Sequence, residues 1–194
     1  MKISLSTQPL SKLKADLVVA VVDKGSELFS AGDSKLGRAL SRAEDGFRKK
    51  RFNREYLQTF EAGSGVAALV VFSSALSKTY DLRENVKIFA SRALGYASDY
   101  GYSRIVFLLQ GEKGAEHVED VVEGFVLGGY RFDKYKNYKD KKSGSVSVVI
   151  ACRARNRTAA ERALIHARVV SGEVNRARDL VNEPGDKVVP NTLA

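Results

Sequence analysis

Carboxylates at helical spacing are the first residues in this sequence that could do chemistry. Their oxygen atoms would suit a hard divalent cation, because such ions prefer carboxylate ligands. They also fall near the start of a predicted helix, where acidic side chains favour the positive end of the helix dipole and usually face water. We therefore expect a solvated helix face and not a metal site. The four residues are Glu116, Glu119, Asp120 and Glu123.

The other residue types with catalytic chemistry are isolated in the sequence. His117 and His166 stand far apart, whereas a zinc site needs clustered ligands at short, fixed spacings. Cys152, the single cysteine, ends an apolar run, and a buried thiol lacks the electropositive, partly open surroundings of a reactive thiolate. No serine lies in a G-x-S-x-G turn. The sequence therefore predicts no catalytic residue and no metal ligand in this chain.

Two glycine-containing segments are candidates for phosphate binding. The first, "GSGVAA" at 63–68, matches G-x-G-x-x-A, but a dinucleotide-binding turn needs a helix after it, and a β-branched run follows here. The second, "DKGSELFSAGDSKLG" at 23–37, leaves a predicted strand and opens a helix, so its backbone amides could meet a phosphate. It lacks the G-x-x-x-x-G-K-[ST] pattern. We expect a turn at the first segment and an ordinary connecting loop at the second.

Positive charge is concentrated in two short segments. The chain carries 32 Lys and Arg against 23 Asp and Glu, a net charge of +9. The first basic segment (47–56, "FRKKRFNREY") has five basic residues and one acid, and the second (131–142, "RFDKYKNYKDKK") has six and two, so each contributes +4. Interleaved aromatic rings could stack on bases, but we favour Phe47 and Phe132 as core anchors beneath a charged surface.

DNA binding is expected only on one condition. If both basic segments lie on one face, the chain should bind duplex DNA weakly and without sequence preference, through release of counterions from the phosphates. The candidate contacts are Lys49, Lys50, Arg51, Lys134, Lys136 and Lys139.

Composition favours a cytoplasmic protein. No apolar run approaches the ~20 residues that span a bilayer. The first residues, "MKISLSTQPL", contain no apolar core of signal-peptide length. A single cysteine suits a reducing compartment.

Alternating strand and helix patterns must position all of these residues. Apolar, β-branched runs predict strands at 2–6, 15–22, 56–62, 66–74, 104–111 and 144–152. Helical spacing predicts helices from Leu36, over 82–100, between Gly114 and Gly129, and from Thr158 to Val181. The order predicts a three-layer α/β/α sandwich with a mostly parallel or mixed sheet. The predicted helix caps are Asp33 or Ser34, Asp81 with Glu84, and Thr158 with Glu161.

Two longer phrases resemble the cytosolic leucyl aminopeptidase family. They are "EGFVLGGYRFDKYK" at 123–136 and "NRARDLVNEPGDKVVP" at 175–190. In that family a glycine-rich helix end leads into a Tyr/Phe-Lys-Tyr-Lys segment, and a later helix ends in Ala-Arg-Asp-Leu-Val-Asn-x-Pro. The two segments occur here in the family's order, whereas the first hundred residues match only in the order of elements. Gly185 departs from the family, whose members often have a second proline there.

The resemblance implies a macro-domain-like, non-catalytic N-terminal domain over 1–181. Residues 182–194 would form the hinge to a catalytic domain absent from this chain. In the family that domain binds two divalent metals, Zn or Mn, within motifs resembling Thr-Phe-Asp-Ser-Gly-Gly and Asn-Thr-Asp-Ala-Glu-Gly-Arg, and neither motif occurs here. The parent enzyme would hydrolyse N-terminal residues from peptides and form a homo-hexamer. This chain alone would be inert.

Two other functional hypotheses remain open at this point. A free-standing macro-like domain could bind ADP-ribose or another nucleotide at the carboxyl ends of its strands, near the turn at Asp23, Lys24 and Gly25. A basic DNA-binding domain could use the two basic segments.

Overall fold

A mostly parallel sheet runs through the described part of the chain. The computed structural model describes residues 1–22, 34–52, 55–60, 66–73, 81–109, 114–135, 145–152 and 157–185. Within these ranges the sheet has six strands in the order β1-β6-β5-β2-β4-β3. The strands are β1 (Lys2–Ser6), β2 (Leu17–Val22), β3 (Glu55–Thr59), β4 (Ala68–Ser73), β5 (Arg104–Leu108) and β6 (Ser147–Ala151).

The sheet register joins distant parts of the sequence. Lys2 of β1 pairs with Ser147 of β6, and Leu17 of β2 pairs with Ile105 of β5, both in parallel. Only the edge strand β3 is antiparallel to its neighbour, β4, among the described pairs. The strand predictions are confirmed, and β1 lies at one edge of the sheet. The run that follows "GSGVAA" is strand β4, as expected, while Gly63 and Gly65 lie outside the described residues.

Helices cover both faces of the sheet, so the predicted α/β/α sandwich is confirmed. They are α1 (Lys35–Arg48), α2 (Leu82–Tyr100), α3 (Val118–Gly128) and α4 (Arg157–Asn182). Alternate residues of β2 enter opposite cores, because successive side chains of a strand point to opposite faces. Val18 and Ala20 pack with α1, whereas Leu17 and Val19 pack with the layer formed by α2, α3 and α4.

Two of the three predicted helix caps are confirmed. Ser34 accepts a hydrogen bond from the Gly37 amide at 3.0 Å, and Asp81 accepts one from the Glu84 amide at 2.9 Å. The third prediction is wrong. Helix α4 already includes residue 157, so Thr158 is a helical residue and not the cap. Glu161 instead accepts a hydrogen bond from Arg157 one turn earlier, at 2.8 Å.

Glycines let α2 and α3 approach closely. A Cβ atom at Gly124 would lie 2.4 Å from the carbonyl oxygen of Lys87 and 2.8 Å from the Cβ of Ala90. One at Gly128 would lie 2.4 Å from the Ser91 hydroxyl oxygen. The two glycines are one helical turn apart, so together they form a flat strip on α3 that the backbone of α2 can touch.

We predict that Gly124→Ala destabilises the protein. The new methyl group must push α2 away, which should lower the free energy of unfolding by about 1–3 kcal/mol. The matched control is Gly95→Ala on α2, where a Cβ atom meets nothing within 4 Å. It should raise the free energy of unfolding by up to about 1 kcal/mol, because alanine is the better helix former. Urea titration measures both, and equal effects of the two substitutions would contradict the packing argument.

Asp16 ties the start of β2 to the start of β5. Its carboxylate accepts hydrogen bonds from the Ser103 and Arg104 amides at 3.0 and 2.9 Å, and from Nε of Arg104 at 3.0 Å. Partial burial alone would raise the pKa of Asp16. The bonds from Arg104 and Ser103 outweigh that effect and lower the pKa to about 2. The folded state therefore prefers the ionised carboxylate.

This carboxylate should make stability depend on pH in the acid range. Its folded pKa is lowered from 3.8 to about 2, so its contribution is complete above the unfolded pKa and is lost as pH falls through that window. Asp16→Asn should lower the free energy of unfolding at neutral pH, and the gap from wild type should shrink between pH 4 and pH 2. Urea titrations at several pH values test this. A gap that stays constant down to pH 2 would be inconsistent with the proposed role of the charge.

Candidate functional site at the end of α4

The four candidate carboxylates do not form a solvated face, so that expectation is wrong for Asp120. The side chain of Asp120 is 1% exposed and pairs with Nε of Arg83 at 3.1 Å. Nδ1 of His117 lies 3.1 Å from its other oxygen. Burial would raise the pKa of Asp120, but the hydrogen bonds from His117 and Arg83 outweigh it and lower the pKa. The carboxylate is charged and buried, and the positive charge of Arg83 lies beside it.

The neighbouring acids join helices of the same layer. Glu119 of α3 contacts His166 of α4 at 3.0 Å and Arg83 of α2 at 3.7 Å. Glu123 of α3 pairs with Lys87 of α2 at 3.0 Å. These polar contacts link α2, α3 and α4. In the ranges that the structure describes, no group of three or more His, Cys, Asp and Glu residues is placed to hold a metal ion.

Cys152 is a structural residue, as expected. Its side chain lies in the core beneath the three-helix layer, at 5% exposure. Burial raises the pKa of its thiol, so the reactive thiolate is disfavoured.

The two basic segments start in different layers. The first follows α1 on one face of the sheet, and the second follows α3 on the other. Lys49 pairs with Asp45 at 2.8 Å. Lys136 and Lys139 lie outside the described ranges, as does the loop at 23–33, so the shared basic face stays a prediction.

The aromatic residues of these segments have different roles. Phe47 packs against the core on the α1 side, as expected. The ring centroid of Phe52 lies 5.8 Å from that of Phe47 and 4.9 Å from that of Tyr56, so the three rings form one cluster. Phe132 is only half-buried and its ring lies 5.9 Å from that of Tyr135. It lines a surface cleft, so its expected role as a core anchor is wrong.

The cleft lies where the second basic segment meets the end of α4. It has a volume of about 270 Å³ and is lined by Arg131, Phe132, Asp133, Lys134, Asp179 and Glu183. The two phrases singled out in the sequence thus come into contact here. We call this contact, between residues 130–135 and residues 178–183, the junction.

Tyr130 forms one half of the junction. Its hydroxyl donates to Oδ1 of Asp179 at 2.8 Å and accepts from Nδ2 of Asn182 at 3.2 Å. The guanidinium carbon of Arg178 lies 5.5 Å from the centroid of its ring, within the range of a cation–π contact. The same guanidinium donates to the Leu127 carbonyl at 3.3 Å. One tyrosine therefore fixes the last turn of α4 against the end of α3.

Glu183 forms the other half of the junction. Its side chain is 11% exposed, accepts from Nζ of Lys134 at 2.5 Å and accepts a second hydrogen bond from the Tyr135 hydroxyl. The hydrogen bonds to this carboxylate raise the pKa of Lys134 and the pKa of Tyr135. Glu183 comes directly after the helix, so the junction sets the direction in which the chain leaves α4.

Periodicity did not predict the junction. Tyr130 and Asp179 are 49 residues apart, and neither lies on an apolar stripe. The sequence shows only that the segments 123–136 and 175–190 both resemble the leucyl aminopeptidase family. That resemblance does not show that the two segments are in contact.

Known proteins match this chain over its whole given length. No protein-family model matches the chain. A probable cytosol aminopeptidase of Solibacter usitatus is 25% identical over 195 residues, which covers 100% of this chain and 38% of that protein. A solved tomato leucine aminopeptidase mutant matches 100% of the chain with a TM-score of 0.67 at 19% identity. The predicted resemblance to the leucyl aminopeptidases is confirmed.

The match covers only a part of each of these proteins. The chain spans 40% of the tomato protein, and the region matched is the N-terminal one. The bottromycin maturation enzyme BotP, solved in complex with Mn, matches 92% of the chain with a TM-score of 0.59 at 20% identity, and the chain spans 34% of it. These structural likenesses establish the shared fold.

No helix in the described ranges is long and apolar enough to cross a membrane.

We predict that Glu183→Ala loosens the end of α4. The change removes the acceptor of Lys134 and Tyr135, whose hydrogen bonds hold the first residue after the helix. Amides of residues 179–183 should therefore exchange with deuterium about tenfold faster, as measured by mass spectrometry of the peptides.

The matched control is Glu173→Ala on the same helix. Glu173 is 63% exposed and pairs only with the exposed Arg176 among the contacts that the structure shows. Such surface pairs contribute about 0–1 kcal/mol, so exchange at the end of α4 should stay near the wild-type rate. Equal acceleration by the two substitutions would show that the junction does not hold the helix end.

Proposed function

We propose that this chain is the non-catalytic N-terminal domain of a leucyl aminopeptidase. Residues 1–181 form the domain, and residues 182–194 connect it to a catalytic domain outside this sequence. The proposal is supported by the share of each protein that the alignment covers. A curated cytosol aminopeptidase aligns with the whole chain, while the chain spans 38% of that relative. A complete enzyme of this kind therefore needs more chain than is present here.

The parent enzyme hydrolyses N-terminal residues from peptides with two divalent metals, Zn or Mn. Such metals supply an activated water and polarise the scissile carbonyl. The described residues of this chain do not fit the role of metal ligands. The most buried acid among the described residues, Asp120, is already hydrogen-bonded to Arg83 and His117, and leaving those partners without it would cost free energy. The metals therefore belong to the catalytic domain.

The domain's own task is to position the connection. The junction holds Asp179, Asn182 and Glu183 against residues that follow α3. A connection whose first residues are fixed restricts the orientations that the next domain can take. We place the parent in the cytoplasm, since its relatives are named cytosol aminopeptidases, and we expect the homo-hexamer that the resemblance implies.

The two other functional hypotheses, ADP-ribose binding and DNA binding, have less support. Binding of ADP-ribose depends on the loop at 23–33, which lies outside the described residues. DNA binding through Lys49, Lys50, Arg51, Lys134, Lys136 and Lys139 remains a prediction. It depends on one shared basic face, and the described parts of the two segments start on opposite faces of the sheet.

The proposal predicts that the 194-residue chain does not hydrolyse leucine p-nitroanilide, with or without added Mn²⁺ or Zn²⁺. The parent polypeptide, expressed from the complete reading frame, should hydrolyse it in a metal-dependent manner. Release of p-nitroaniline, followed by absorbance, measures both. Turnover by the 194-residue chain that persists through purification and scales with its concentration would overturn the proposal, and so would an inactive, metal-loaded parent.

A further inference from the structure

The cleft beside the junction has room for a small molecule. Its volume is about 270 Å³, whereas drug-sized ligands occupy pockets of about 300–1,000 Å³. The molecule that fits is therefore smaller than a dinucleotide or a long peptide. Its chemistry follows from the charges along the cleft that have no partner within the protein.

Most of the charged groups along the cleft are already engaged. Lys134 pairs with Glu183 at 2.5 Å, and the Tyr135 hydroxyl donates to the same carboxylate. Asp133 has an interaction of its own. These groups form walls of the cleft and offer little to a ligand, because a ligand would have to break contacts that exist without it.

Two opposite charges remain available. Arg131 is exposed, and within the described ranges it forms no hydrogen bond or ion pair. Asp179 accepts a hydrogen bond from Tyr130 through Oδ1 at 2.8 Å, and its Oδ2 atom accepts none from the same ranges. Arg131 and Asp179 line one cleft without pairing with each other, so a gap separates the two charges.

The surroundings of this gap are preorganised. The Tyr130 hydroxyl, which also accepts from Nδ2 of Asn182 at 3.2 Å, holds the Asp179 carboxylate in place. A group that is already oriented loses little conformational freedom when a ligand binds. Phe132 is half-buried and supplies an apolar wall between the charged ends of the cleft.

This arrangement favours a ligand that carries both charges. A simple anion would be repelled by Asp179, and a simple cation would be repelled by Arg131. A zwitterion can give its carboxylate to the guanidinium, which binds carboxylates through two parallel hydrogen bonds, and its ammonium group to Asp179. An α-amino acid holds both groups on one carbon atom, and an apolar side chain on that carbon would lie against Phe132.

We propose that the cleft binds a free α-amino acid with an apolar side chain. Arg131 holds its carboxylate, Asp179 holds its ammonium group, and Phe132 contacts its side chain. The site is inferred from this chain alone, whereas the source of the ligand rests on the proposed function, because an aminopeptidase releases free amino acids. The bound product bridges residues 130–135 and the last turn of α4, so it tightens the junction as product accumulates.

The test is a titration of the ¹⁵N-labelled 194-residue chain with L-leucine, followed by amide chemical shifts. The shifts should saturate and should be largest at residues 130–135 and 178–183. N-acetyl-L-leucine lacks the ammonium group and L-leucinamide lacks the carboxylate. Each should bind at least about tenfold more weakly than leucine, since each loses the hydrogen bonds of one charged group.

Substitutions assign the two charges. Arg131→Gln and Asp179→Asn should each raise the Kd for leucine at least about tenfold. Asparagine keeps an oxygen that can accept from Tyr130, so Asp179→Asn removes the charge and preserves that hydrogen bond. The matched control is Arg162→Gln, an exposed arginine of α4 that does not line the cleft, and its Kd should equal that of the unsubstituted chain.

Several results would overturn the amino acid site. They are the absence of saturable shifts up to the solubility limit of leucine, and shifts centred outside the junction. Equal affinity for leucinamide would indicate a site for cations only, and equal affinity for N-acetyl-leucine a site for anions only. The three ligands are compared on the unsubstituted chain, so this outcome does not depend on whether a variant folds.

Failure of the amino acid site is distinguishable from failure of the proposed function. Leucine p-nitroanilide hydrolysis by the parent polypeptide tests the function without reference to the cleft. An active parent whose N-terminal chain does not bind leucine would overturn the site alone. An inactive, metal-loaded parent whose N-terminal chain binds leucine would overturn the proposed function and leave the site standing.

Discussion

Burial of the central strands on both faces is the constraint on which the rest of the structure depends. Leu17, Val18, Val19 and Ala20 of β2 are all 0% exposed. A parallel sheet of this kind must be covered twice, because apolar side chains leave both of its faces. Helix α1 covers one face, and α2, α3 and α4 cover the other. Among the described residues, the junction lies on the outer side of the three-helix cover.

The three-helix cover depends on close packing and on buried charge together. Gly124 and Gly128 let α3 touch α2, and this approach brings Asp120 beneath Arg83. A buried carboxylate is tolerated only when its partners are fixed in place. The charges that first suggested a metal site therefore serve the packing of the helix layer, and α4 is held at the distance from α3 that the junction requires.

Elements with one dominant local signal could be predicted from the sequence, and tertiary partners could not. Continuous β-branched runs identified the strands, and Asp81 with Glu84 identified the start of α2. The prediction of Thr158 as the cap was wrong. A capping pattern in the sequence can also occur inside a helix, and here Arg157 already belongs to α4 and donates to Glu161. The prediction that Asp120 faces water was wrong, because periodicity assigns a residue to one face of a helix but does not show what packs against that face. The junction joins residues 49 apart, a separation that only the folded chain reveals.

The pairing of β1 with β6 has a consequence for synthesis on the ribosome. Lys2 is translated well before its partner Ser147, because the two residues are far apart in the sequence. At ~5–20 residues per second, β1 waits on the order of ten seconds for the strand beside it. During that time β5 also has an unpaired edge on the side that β6 will occupy. An emerging chain of this type therefore presents open strand edges, and association with chaperones or with other nascent chains competes with completion of the sheet.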